Sequence, residues 1–304
     1  MAGLKAIKSK IRSIDKTRKV TKAMEAVSAA KMRKAQATAV AGRAYARAAV
    51  STLSRVAGSK ELAQHPLSIA RPVVNALYIV ITSDKGLAGG LNSSVLRAVY
   101  ADILTAKLSQ EHVRVIAVGR KANEFFTRRG YVVDVFHPNA VDVVTTELIE
   151  SIVQEATNRF VLKTTDIVKV AYQNFVSTFE QRPTVRTVFP LSLTELTRVV
   201  SDIGVSRASS IEGDVEAPKT YTIEPSAEEI LDVILPRLAS IFVYHALLES
   251  QASEHSARMV AMKGASDKGA EMQHTLTLAF NKARQAAITR EVSEITGGME
   301  AMAS

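Results

Sequence analysis

Cysteine and tryptophan are absent from this 304-residue sequence, and aromatic residues make up only 5% of it. Without cysteine, the chain has no disulfides, no thiolate metal ligands and no cysteine nucleophile. No run of about eighteen consecutive apolar residues occurs, so the sequence predicts no membrane-spanning segment. Since no such segment is predicted, we expect any membrane association to come through a partner. The low aromatic content suits helices that pack through Ala, Leu, Ile and Met.

Positive charge is abundant and unevenly distributed. The formal net charge is +9, and residues 1–60 contain 15 Lys or Arg but only two acids, Asp15 and Glu25. Such a block indicates nucleic acid, anionic lipid or an acidic protein as partner. A basic start is also typical of a cleaved transit peptide, but the helical pattern continues without a processing site or a change in composition.

The N-terminal region carries apolar residues at intervals of three and four. The pattern begins with Leu4, Ile7, Ile11 and Ile14. This spacing is typical of a coiled-coil heptad. The apolar positions then shift to Val20, Met24 and Val27 before thinning into alanines. The sequence predicts one helix from about residue 3 to residue 56.

The stretch from Ser226 to Ile295 is predicted to form a second long helix. At 1.5 Å per residue it would extend on the order of 100 Å, so it needs a packing partner along much of its length. Pro236 predicts a kink, and Gly264 and Gly269 leave open a bend or a break into two helices. Two long helices with narrow apolar faces, at opposite ends of one chain, predict an antiparallel coiled coil with the middle as an insertion.

The middle of the chain alternates between strand-like and helix-like segments. Strands are predicted at 73–82, 113–118, 131–136, 167–175 and 184–190, and helices at 94–109, 121–129 and 142–162. This alternation predicts a largely parallel, Rossmann-like α/β sheet with crossover helices. We assign the domains as an N-terminal coiled-coil helix at 1–57, an α/β domain at 72–191, a polar connection at 192–224 and a C-terminal coiled-coil helix at 225–298.

One glycine-rich segment invites a nucleotide-binding interpretation. Residues 83–92 (SDKGLAGGLN, hereafter the Gly-rich loop) follow a predicted strand and precede a predicted helix. Their spacing matches neither GxGxxG nor the P-loop, so we interpret the loop as a tight turn with Asn92 or Ser93 capping the next helix. A nucleotide-dependent enzyme remains an alternative. A nucleic-acid-binding coiled coil is another, although Tyr45 is the only aromatic residue in the basic region.

Metal and acid–base chemistry have little support in the sequence. His245 and His255 are ten residues apart, which is the wrong interval for ligands on adjacent helical turns. The acidic residues of the C-terminal helix form no isolated pair suited to proton transfer. We predict no catalytic, cofactor-binding or metal-binding residues.

Four segments together resemble the gamma subunit of bacterial F-type (F1Fo) ATP synthase. They are Thr21–Met32 (TKAMEAVSAAKM), Ser83–Ser94 (SDKGLAGGLNSS), Ser256–Lys263 (SARMVAMK) and Asn281–Thr296 (NKARQAAITREVSEIT). The resemblance implies a non-catalytic central-stalk rotor that couples rotation of the c-ring to conformational change in the ring of alpha and beta subunits. The sequence departs from the family pattern at Ala88, where cysteine is frequent. Residues 192–224 match the family poorly.

The resemblance also implies partners and contact residues. The expected partners are the alpha, beta and epsilon subunits and the c-ring, with no nucleic acid and no cofactor. It implies a peripheral location on the cytoplasmic face of the bacterial inner membrane. The residues that it marks for contact or coupling are Met24, Arg258, Gln285, Thr289 and Glu291 towards the catalytic ring, and Tyr221 and Glu224 towards the c-ring.

Overall fold

Two long helices begin and end the chain, α1 (Ala2–Val56) and α5 (Ala227–Ala303). The computed structural model describes residues 2–56, 62, 64–141, 143–192 and 226–303. The chain divides into one unit of Met1–Ala29 with Arg258–Ser304 and a second of Ala30–Ala257. Tyr221 and Glu224, with nearly all of the predicted connection, lie outside the described residues.

In the described residues, five strands, three further α-helices and a short 3-10 helix (Gln110–His112) form the α/β part of the second unit. The strands are β1 (Ala76–Ile81), β2 (Val113–Val118), β3 (Val132–His137), β4 (Ile167–Phe175) and β5 (Gln181–Phe189), and the helices are α2 (Leu91–Thr105), α3 (Arg120–Arg128) and α4 (Thr146–Val161). The sheet order is β3-β2-β1-β4-β5. All neighbouring strands are parallel except β4 and β5, which form an antiparallel hairpin. The predicted fold class is therefore confirmed.

Some predicted boundaries were wrong for local reasons. β1 begins at Ala76 rather than at residue 73, because the backbone amides of Val74 and Asn75 donate to the Asp166 carboxylate at 3.0 and 2.8 Å. β5 begins at Gln181 and includes Pro183, whereas we predicted its start at residue 184. Proline is tolerated because β5 is an edge strand, where one side needs no ladder donor.

Helix α5 is continuous through Pro236, Gly264 and Gly269, so the break into two helices that the glycines left open is not found. Leu231, Leu235 and Leu238, around the proline, are buried in the core on one face of the sheet. This packing outweighs the intrinsic helix-breaking tendency of Pro236. One stretch within residues 229–296 is long and apolar enough to pass a composition test for a membrane span, with 44% of it buried. Since the first turns of this helix pack in the core against the sheet, the expectation that no segment spans a membrane stays a prediction.

The sheet is covered on both faces. One core contains sheet residues with Ile152 and Phe160 of α4 and the first turns of α5. The other contains Val95 and Val99 of α2 and Phe126 of α3. Because both faces are buried, the central strands are almost uniformly apolar, as parallel strands usually are.

A partly buried polar contact fixes α2 to the second of these faces. The Tyr78 hydroxyl donates to Asp102 Oδ2 at 2.6 Å, and Lys169 Nζ lies 2.7 Å from the same oxygen. Burial first, and then the bond to Asp102, raises the pKa of Tyr78 above its ordinary value. The phenol therefore keeps its proton in the folded chain at pH values where an exposed tyrosine ionises.

This shift predicts that the contribution of Tyr78 to the free energy of unfolding decreases in alkali. Its contribution is fully present below pH about 10 and is lost above it, because the unfolded chain then releases a proton that the folded chain retains. Tyr78→Phe should cost about 1 kcal/mol at pH 8. Above pH about 10 the stability of Tyr78→Phe should fall less steeply than that of the wild type. The difference in the free energy of unfolding between the two should therefore become smaller. Urea unfolding at several pH values measures this, with Tyr100→Phe as the control at an exposed site. Parallel curves for wild type and Tyr78→Phe would contradict the assignment.

Candidate functional site

In the first unit, α1 carries a regular line of buried and half-buried side chains. It comprises Leu4, Ile7, Ile11, Ile14, Arg18, Thr21, Glu25 and Ser28. The intervals alternate between three and four residues throughout, so the heptad continues without the predicted shift. Val20 and Val27, which we predicted to join it, are 58% and 57% exposed. The apolar line at the N-terminus is therefore continued by polar residues.

A matching line runs along α5 in the same unit. Its buried and half-buried positions are Met262, Ser266, Gly269, Gln273, Leu276, Phe280 and Ala283. A Cβ atom added at Gly269 would lie 3.6 Å from Arg18 Cβ, so the two backbones approach closely at this point. A shallow groove of about 590 Å³ lies beside the contact, lined by Arg18, Lys22, Asp267 and their neighbours.

The exposed side of α1 is basic. Asp15 lies 2.8 Å from Lys19 Nζ and 3.4 Å from Arg18, and the hydrogen bond from Lys19 is the main cause that lowers the pKa of Asp15. Lys22 approaches Glu25 at 3.8 Å. Further lysines at positions 5, 8, 10 and 16 are exposed. With only two acids among them, these cations form a surface suited to an acidic partner.

Beyond Ala283, every described side chain of α5 as far as Thr296 is exposed. Ile288, Val292 and Ile295 lie on one stripe of this tail at intervals of four and three residues, and each is more than half exposed. A contiguous apolar stripe on an exposed helix is typical of a surface that another chain covers. The tail therefore combines apolar and polar groups available for an interface.

The Gly-rich loop uses its polar groups within the chain. The Asp84 carboxylate accepts hydrogen bonds from the backbone amides of Arg120 at 3.0 Å and Asn139 at 2.8 Å. Arg120 is the first residue of α3, so this carboxylate occupies the helix N-terminus that would otherwise attract a phosphate. Asp84 also joins the loops that follow β1, β2 and β3.

The predicted helix cap in this loop was wrong. Gly90 is the N-cap of α2, and it makes no side-chain capping bond. The Asn92 side chain instead accepts from Ser83 N at 2.9 Å and donates to Ser83 Oγ at 2.7 Å. Asn92 therefore closes the loop on itself, because pairing its own ends satisfies both polar groups of the amide.

Comparison with known proteins identifies the family. The family model described as ATP synthase matches residues 3–302. The ATP synthase gamma chain of Heliobacterium modesticaldum is 37% identical over 302 residues, covering 99% of this chain and 100% of that one. The chain belongs to the ATP synthase gamma-chain family. The gamma chain of Staphylococcus epidermidis is 36% identical with the same coverage.

Chains in solved structures of ATP synthases share the fold. A chain from the Tetrahymena thermophila mitochondrial ATP synthase central stalk and c-ring gives a TM-score of 0.61 at 24% identity, covering 81% of this chain and 99% of that one. A chain from the Euglena gracilis mitochondrial ATP synthase gives 0.66 at 18% identity, covering 99% and 95%. Both chains therefore have the same fold as this chain.

The residues that the gamma-chain resemblance marks occupy different environments. Gln285, Thr289 and Glu291 are exposed on the α5 tail, and Met24 is half-buried on α1. Arg258, by contrast, is only 7% exposed. The tail brings three of the marked residues together on one short helical segment. Their contact with a partner stays a prediction.

Two features of this gamma chain escaped sequence reasoning. The first is the polar continuation of the α1 heptad, which strict extension of the three-and-four spacing beyond Ile14 would have revealed. The second is a set of hydrogen bonds around Gln173, a β4 residue that joins α2 to α5. No sequence signal marks Gln173, because its partners are distant in the chain.

Proposed function

We propose that this gamma chain is the central-stalk rotor of an F-type ATP synthase, without catalytic activity of its own. In this role it couples rotation of the c-ring to conformational change in the ring of alpha and beta subunits. The observation that carries the proposal is the exposed tail of α5, whose apolar stripe has no cover within the described part of the first unit. Full-length similarity to gamma chains supports the same role.

The proposed partners follow from two surfaces, the basic side of α1 and the apolar stripe on the α5 tail. The alpha and beta subunits would cover the α5 tail, with Met24, Arg258, Gln285, Thr289 and Glu291 contributing to contact or coupling. The basic side of α1 suits an acidic segment of the beta subunits. Epsilon and the c-ring would be further partners, with Tyr221 and Glu224, which lie outside the described residues, contributing to contact with the c-ring. The chain would lie peripherally on the cytoplasmic face of the bacterial membrane.

Direct observation of rotation tests the proposal. Because the chain contains no cysteine, Leu104→Cys gives one labelling site, on a side chain that is 60% exposed in α2. A bead attached there, on a complex fixed through its alpha and beta subunits, is expected to rotate in one direction during ATP hydrolysis. A bead that stays still while the ring hydrolyses ATP would contradict the rotor role.

We also predict that the isolated chain neither binds nor hydrolyses ATP. The Gly-rich loop lacks a phosphate-binding spacing, and the Asp84 carboxylate lies at the α3 N-terminus, where it would repel a phosphate. Nucleotide titration by calorimetry should show no heat of binding at physiological salt. ATP turnover that is abolished by substitutions in the Gly-rich loop would support the nucleotide-dependent enzyme instead. Salt-dependent binding of DNA would favour the nucleic-acid-binding alternative.

A further inference from the structure

Gln173 in β4 forms hydrogen bonds to two separate helices. Its side-chain Nε2 donates to Leu91 O at 3.1 Å and to Ser94 Oγ at 2.6 Å, both at the start of α2. Its backbone N donates to Ser250 Oγ at 3.2 Å, and its backbone carbonyl accepts from Ser253 Oγ at 3.2 Å. Gln173 is 3% exposed, so these bonds form away from bulk water. One buried residue thus connects the end of the Gly-rich loop with helix α5.

The backbone of β4 depends on α5 at this point. The β1–β4 ladder ends at the pair Val80–Ala171, so the backbone N–H and C=O of Gln173 have no ladder partner in β1. Side chains of α5 take over, because Glu249 Oε2 accepts from Phe175 N at 2.7 Å in addition to the two serine contacts. Hydrogen bonds therefore attach the end of β4 to α5. These bonds form only when β4 and α5 keep a fixed position relative to each other.

A small cavity with several polar groups in its wall lies beside Gln173. It has a volume of about 10 Å³, and its walls are partly apolar, from Ile81, Leu91, Val95 and Val141. Its polar lining comes from Thr82, from Ser83 and Asn92 of the Gly-rich loop, from Gln173, and from Ser250 and Glu254 of α5. The amide orientation of Gln173 is fixed, since the nitrogen must face the Leu91 carbonyl. Its Oε1 is buried and accepts no hydrogen bond from the described part of the chain. Buried polar atoms need partners, and a cavity of about 10 Å³ on this measure is at the lower limit for holding one water molecule.

We propose that Gln173, with one water molecule in this cavity, is a positioning residue that couples the Gly-rich loop mechanically to helix α5. The loop is internally braced by Asp84 and Asn92, and its tip carries Leu87, which is 62% exposed. A load on the loop therefore passes through Gln173 to the serines of α5 instead of deforming the loop. This inference rests on the proposed rotor function, in which load must reach the long helix.

Hydrogen exchange in the isolated full chain tests the coupling without any partner. Ser250→Ala, a change on α5, should raise the opening equilibrium constant of amides in residues 83–94 about tenfold, the effect of losing one buried hydrogen bond. Gln173→Leu should do the same. The double variant should open at most about twofold more than Gln173→Leu alone, since both changes break one connection. Asn174→Leu, at the next position of β4, is the matched control and should leave the loop protected.

Two results of that experiment would overturn the coupling. One is an unchanged loop in Ser250→Ala. The other is a double variant whose effect equals the product of the two single effects, because independent sites behave that way. Crystals of the full chain provide a check on the water, which should bridge Gln173 Oε1 to Ser250 or to the loop. An empty cavity would overturn that part of the proposal.

Proton pumping by the assembled enzyme tests the mechanical role. Gln173→Leu should lower protons pumped per ATP hydrolysed at least about twofold relative to Asn174→Leu, with both assembling normally. A coupling ratio equal to that of the control would overturn the transmission of load while leaving the rotor function intact. If the wild-type chain itself fails to restore pumping to complexes that lack it, the proposed function fails instead. The two failures are therefore distinguishable.

Discussion

Replacing Met24 with lysine is expected to reduce proton pumping per ATP hydrolysed far more than replacing it with alanine. Met24 is half-buried on α1, between the buried side chains of Thr21 and Ser28, and Lys22 is exposed nearby. A new ammonium here would extend the basic surface towards the acidic segment proposed for the beta subunits. Close charge pairs at protein interfaces contribute about 1.5–7 kcal/mol. Even at the lower limit, a step that must break the pair is slowed about tenfold.

The alanine variant separates the added charge from the lost side chain. Met24→Ala removes the same packing but adds no charge, so coupling should remain close to that of the wild type. Pumping and hydrolysis are measured together over a range of temperatures, because a bond that must break makes the lysine variant more temperature-dependent. Raising the ionic strength should narrow the difference, since salt screens exposed charges. Equal coupling in both variants, with assembly intact, would exclude this electrostatic explanation.

The largest effect on stability is expected for Gly119→Ala. Gly119 lies between β2 and α3 with a φ of 98°, a conformation that disfavours any residue with a Cβ atom. An added Cβ would lie 1.9 Å from the Thr82 carbonyl oxygen and 2.7 Å from its carbon. The backbone cannot retreat easily, because Gly119 N donates to His137 O and Thr82 N donates to Val118 O. We expect a loss of about 4 kcal/mol, from strain and clash together.

Gly86 in the Gly-rich loop is the matched control. A Cβ atom there meets nothing within 4 Å, and its φ lies outside the left-handed region. Gly86→Ala should therefore change the free energy of unfolding by less than about 0.5 kcal/mol. Urea unfolding followed by circular dichroism compares the two variants with the wild type. Similar stabilities for Gly119→Ala and Gly86→Ala would show that the close approach of Thr82 to Gly119 is not maintained in solution.

The sequence by itself determined the long helices and the central strands. Their patterns repeat over many residues, so the error at any one position has little weight. Strand β2 and strand β4 begin and end where predicted, and α1 differs by one residue at its start. The family was also accessible, because short motifs in a fixed order identify a gamma chain without knowledge of any contact.

Only the tertiary structure decided which polar residues join the packing. Arg18 and Thr21 continue the α1 heptad, whereas Val20 is exposed, because position relative to the neighbouring helix outweighs hydrophobicity. Asn92 bonds to Ser83 instead of capping α2. Gln173 meets Ser250, 77 residues away in sequence. Local periodicity reports how a segment folds on itself, but a hydrogen bond between distant segments depends on where the whole chain places them.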